Sequence, residues 1–171
     1  MATFGQTATL GNAFAIGLNY IATRFQAPAN GTVTDIRAHL VKNFGGTVPA
    51  YAAMYTDNSG APDALMFYTG STTITGTPQF YTFSGGTTVT TRDIVAGQYY
   101  WLAVWTDDPG TCDFRYDTGL TDQFATTSNS PTFPTFNNPW GTPSYSSVET
   151  SIYATYTPAS ASNSTNFLQF F

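Results

Sequence analysis

At 171 residues the chain can bury a core within one domain, and with 42% hydrophobic and 16% aromatic residues it has the side chains to fill one. Only 9% of residues are charged, so Thr, Ser, Asn, Gln and Gly must keep the surface wet. Disorder, which goes with high charge and few aromatics, is excluded. A net charge of −5, with Lys42 the one lysine beside four arginines, leaves no cluster to hold phosphates, so neither nucleic acid nor an anionic membrane is predicted as a partner.

From the start of the chain, 3–10 and 20–26 are β-prone, the second ended by the turn Ala27-Pro28-Ala29-Asn30-Gly31. Residues 32–42 alternate, with Thr34, Ile36, Ala38 and Leu40 on one face and Asp35, Arg37 and His39 on the other, as in a half-buried strand. A strand at 50–57 leads into Asp57-Asn58-Ser59-Gly60-Ala61-Pro62, a turn whose Asn, Gly and Pro supply the unusual backbone angles. Short strands are predicted at 64–69, 72–75, 79–84 and 87–91.

Residues 98–106 form the most apolar and most central strand, and the apolar run within it is too short to cross a bilayer. Residues 111–118 alternate again, with Cys112, Phe114 and Tyr116 on one side and Asp113, Arg115 and Asp117 on the other. Residues 148–156 predict the closing strand. No stretch keeps helical periodicity over three turns. Roughly eight to ten short strands predict an antiparallel all-β sandwich or barrel. It spans 1–158, with a long Ser/Thr/Asn/Pro/Phe loop at 120–147, and a C-terminal arm covers 159–171.

Several of these segments resemble a jelly-roll module of tailed-phage virion proteins and of bacterial surface or extracellular proteins. The likeness is carried by Ala22-Thr23-Arg24-Phe25, Gly31-Thr32-Val33-Thr34, Met54-Tyr55-Thr56-Asp57-Asn58-Ser59-Gly60-Ala61-Pro62, Val95-Ala96-Gly97-Gln98-Tyr99-Tyr100-Trp101-Leu102-Ala103-Val104, Arg115-Tyr116-Asp117 and Ser151-Ile152-Tyr153-Ala154-Thr155-Tyr156-Thr157-Pro158. It covers most of 1–158 and rests on scaffold motifs, so it speaks to fold more than to function. It implies a jelly-roll-like β-sandwich with a non-catalytic role in particle decoration, adhesion or carbohydrate recognition.

The residues offer little for catalysis, and no enzyme activity is predicted. His39, the one histidine, has no nucleophile and orienting acid placed around it by the sequence, and reads as a solvent-facing strand residue. Cys112 reads as a small buried hydrophobe, and one His with one Cys falls short of a zinc site. Asp107, Asp108, Asp113, Asp117 and Asp122 are the carboxylates a calcium ion would need, but they follow no ordered ligand spacing, so no metal and no cofactor are predicted.

Trp101 and Trp105 fit core packing of the central strand. Trp140, in Asn138-Pro139-Trp140-Gly141, is either an exposed anchor or a lid over one open end of the sandwich. With Tyr145, Phe133 and Phe136 it forms the candidate ligand or partner loop. Phe167, Leu168, Phe170 and Phe171 are the candidate partner-binding residues, because each would gain about 1.5–3 kcal/mol on full burial. They are predicted to insert into a neighbouring copy or another protein, with folding back onto their own sandwich as the competing outcome.

Met1-Ala2-Thr3-Phe4-Gly5-Gln6 shows neither the basic nor the apolar region of a secretory signal. The leading expectation is therefore a structural protein of a virus particle, made in the host cytoplasm. Most concretely it is a capsid cement or decoration protein of a tailed phage, partnered by copies of itself and by a major capsid or other virion protein. The alternative is a carbohydrate-binding or adhesion module of an exported surface or tail-fibre protein.

Overall fold

Alternation of large inward and small or polar outward side chains decides the architecture. A computed structural model of the chain describes residues 1–16, 19–107, 111–119, 123–127 and 132–160. In chain order the strands are β1 (Ala2–Gly5), β2 (Asn12–Ala15), β3 (Ile21–Gln26), β4 (Gly31–Lys42), β5 (Val48–Asn58) and β6 (Ala61–Tyr68). Then come β7 (Thr72–Ile74), β8 (Gln79–Phe83), β9 (Thr87–Thr88), β10 (Asp93–Ile94) and β11 (Tyr99–Thr106). The last are β12 (Cys112–Thr118), β13 (Phe124–Thr127), β14 (Pro143–Ser146), β15 (Val148–Thr150) and β16 (Ile152–Pro158).

These strands make two eight-stranded antiparallel sheets packed as a β-sandwich. The first sheet runs β1-β16-β4-β12-β15, with β8 and β10 also paired to β4 and β2 to β12. The second runs β14-β13-β3-β11-β5-β6-β9, with β7 paired to β5. The core between them takes Ile36, Ala38 and Leu40 from β4, Tyr100, Leu102 and Val104 from β11, and Phe114, Ile152 and Tyr156 from the other strands of the first sheet. The predicted central strand is thus β11, paired on both sides by β3 and β5.

The structure corrects several predicted bounds. The first strand stops at Gly5, whose φ of +109° and close approach to Tyr153 end the ladder, and β2 is a separate strand. The closing strand is broken at Ser151 into β15 and β16. There the Ser151 N–H donates to the Arg115 carbonyl at 2.9 Å and its carbonyl accepts from His39 N–H at 2.9 Å, which ties β12 to β4. The pairing of β16 with β4 shifts at Thr155/Tyr156, so Val33 rather than Thr34 turns into the core below Ile36. The predicted loop at 120–147 contains β13 and β14, which extend the edge of the second sheet. Their Thr- and Ser-rich sequences carry too little apolar alternation to stand out from a loop.

Candidate functional site

The second sheet carries a second core on its outer face, and this is where the candidate loop residues go. The pairings Ala125↔Ala22, Ala22↔Ala103 and Ala103↔Ala53 set four alanines in a row across β13, β3, β11 and β5. Tyr145 stands opposite Ala125 at one end of the row and Tyr68 opposite Ala53 at the other. Small side chains between large ones leave a trough. Tyr20, Phe136 and Trp140 fill it, together with Tyr55, Trp101 and Trp105 from the strands.

Trp140 is 0% exposed and meets Tyr20 and Tyr55 edge-on at 4.6 and 4.9 Å between ring centroids. Phe136 is 6% exposed and packs against Tyr20 and Trp105, while half-buried Phe133 packs against Trp105 and Tyr51. Such aromatic pairs contribute about 0.5–1.5 kcal/mol each beyond area burial.

Residues 132–142 are also strapped down by hydrogen bonds. Trp140 N–H donates to Asp63 O at 2.9 Å, Leu65 N–H to Asn138 Oδ1 at 3.0 Å, and the Tyr55 hydroxyl to Asn137 O at 2.9 Å. Burial pushes the pKa values of Tyr20 and Tyr55 up. Trp140 is therefore a lid, but over the outer face of a sheet rather than over an open end of the sandwich. Trp101 and Trp105 are buried as predicted, yet in this outer cluster and not between the sheets. Of the four loop candidates, Tyr145 alone is exposed, at 40%.

Beside the trough, one carboxylate organises three strands. Asp57 accepts from Arg24 Nε at 2.7 Å and Nη2 at 3.0 Å, from Trp101 Nε1 at 2.9 Å and from Gly60 N–H at 3.1 Å. The Arg24 guanidinium also lies 4.0 Å from the centre of the Tyr99 ring. This cluster pins the 57–60 turn to β3 and β11 and leaves no unmatched charge.

The outer face of the first sheet is polar and aromatic. His39, predicted to face solvent, is 6% exposed, because Phe80 stands directly opposite it on β8 with the rings 5.2 Å apart, edge to face. Phe80 in turn meets Tyr153 at 5.3 Å. Burial, and then the Arg115 guanidinium, push the His39 pKa below its ordinary 6.5, and its Nδ1 finds no partner. Arg37 bonds Asp35 through Nε at 3.0 Å. Arg115 makes no ion pair among the described residues, and its buried Nε finds no acceptor. Reading each strand alone placed these residues on one face but could not place Phe80 over His39, which needs the β4–β8 register.

One further feature escaped the sequence reading. Phe44, in Asn43-Phe44-Gly45-Gly46, is 92% exposed at a φ of +60° in the connection between β4 and β5. The Gly-Gly pair marks a turn, but nothing in the pattern says that the aromatic would point outward.

Cys112 is buried, as predicted. Among the described residues no three His, Cys, Asp or Glu gather to hold a metal ion; Asp108 and Asp122 lie outside them. Phe167, Leu168, Phe170 and Phe171 also lie outside the described residues. No helix among the described residues is long and apolar enough to cross a membrane. No family model matches the chain, and no curated protein matches it.

Proposed function

We propose that the chain is a non-enzymatic structural protein of a virus particle, most concretely a cement or decoration protein on a tailed-phage capsid. In this reading a jelly-roll-like sandwich is the scaffold, and Phe167, Leu168, Phe170 and Phe171 are the contact to neighbouring subunits. The observation that carries the choice is the burial of Trp140 and Phe136. It takes two of the four candidate rings, Trp140 among them, out of the aromatic platform that the rival carbohydrate-binding reading needs and leaves Tyr145 as its exposed ring. A sugar cannot stack on a ring that the protein already covers on both faces. Burial of the four large side chains of the apolar run at 167–171 against a partner would gain about 1.5–3 kcal/mol each, and that gain supports the assembly reading.

The reading predicts that, in the native source, the chain sediments with virus particles and antibody labels their outer surface in electron micrographs. Recovery only as a protein that stays clear of particles and binds glycans through Tyr145 would contradict it and favour the adhesion alternative.

A further inference from the structure

The outer face of the first sheet leaves charges of both signs unmatched, a short distance apart. In β12 and β15, Asp117 stands directly opposite Glu149. Like charges in cross-strand positions destabilise the pairing, and neither carboxylate has an ion pair among the described residues. Asp117 is exposed and Glu149 half-buried. Two residues back on the same face of β12 is Arg115, half-buried and also without an ion pair among the described residues, and two further back is Asp113, a half-buried carboxylate that has none either.

The other described cations are accounted for. Arg24 and Arg37 are ion-paired, Arg92 lies 4.3 Å from the Phe67 ring centre, and Lys42 bonds the Thr111 hydroxyl at 2.7 Å. In a chain with so few charges, an acidic pair and a lone guanidinium about 7 Å apart along one strand are complementary halves of one pattern.

We propose that this face docks a second copy of the same chain, with Asp117 and Glu149 of each copy meeting Arg115 of the other. The inference rests on the assembly reading above and supplies a contact surface for it. A two-fold axis crossing β12 at Tyr116 lays residue 115 of one copy over residue 117 of its partner, and the reverse contact follows by symmetry. The half-buried rings of Phe80 and Tyr153, with the buried His39 beside Phe80, then lose their remaining water. Each contact sets one guanidinium against two carboxylates, so the attraction is local and works against the net charge of −5 on each copy, and salt weakens the contact itself.

The test is sedimentation velocity on the full chain at low and high salt, with thermal melting alongside. The wild type should associate, and less so in high salt. Asp117→Lys should weaken association by roughly tenfold or more while its melting temperature holds or rises, since the substitution relieves the opposition to Glu149. Arg115→Asp should weaken association equally, and Arg115→Asp with Asp117→Arg should restore it. Should Arg115→Asp fail to fold, the exposed Asp117→Lys still decides.

Salt-insensitive association, or Asp117→Lys associating like the wild type, overturns the inference. So does a monomeric wild type that binds sialyllactose through Arg115, which would assign the face to an acidic sugar. Deleting 165–171 separates the two ideas. Association lost on deletion but kept in Asp117→Lys sinks this surface and leaves the arm, and the opposite result sinks the arm and leaves the surface.

Discussion

A histidine that alternation assigns to a polar face need not be wet. His39 has the sequence position of a solvent-facing residue, but Phe80 covers it and Arg115 lies near enough to oppose its protonation. Its folded pKa is lowered, so the unfolded chain binds the proton more readily. The stability that neutral His39 contributes is complete above pH 6.5 and is lost as pH falls through the lowered value. Thermal melting from pH 8 to 4 should show the wild type losing stability below about pH 6.5, with a shallower loss in His39→Gln. Identical profiles would mean that His39 is not held neutral by its surroundings.

The element that most changes the functional picture is the 132–142 strap. Its aromatic residues looked like a binding loop because the four alanines that receive them are scattered over 22–125 and form a row only through strand register. The main strands were legible, since 32–42 and 98–106 carry clear alternation or unbroken apolarity. β13, β14 and the break at Ser151 were not, because Thr and Ser serve loops and strands alike. If the strap is a structural element, Trp140→Ala should cost about 3–5 kcal/mol in denaturant unfolding. Tyr145→Ala, on an exposed edge strand, should cost well under half of that. A Trp140→Ala protein as stable as the wild type would show that the strap is dispensable to the fold.

For the whole molecule, sequence and structure agree on a two-sheet antiparallel sandwich and disagree on where its second set of large side chains belongs. Two layers of apolar packing, one between the sheets and one under the strap, bury all three tryptophans and Phe136. Among the described residues a partner could meet the polar face around Arg115 and the exposed rings of Phe44, Tyr99 and Tyr145; the proposed function adds the apolar residues 167–171, which lie outside them. The proposed function depends most on the last of these reaching another copy of the chain rather than its own sandwich. The direct measurement is photo-cross-linking of the full chain with Phe170 replaced by p-benzoylphenylalanine. Cross-links between copies, seen as covalent dimers and larger species, are the predicted result; cross-links confined to the same chain's own sandwich would contradict it.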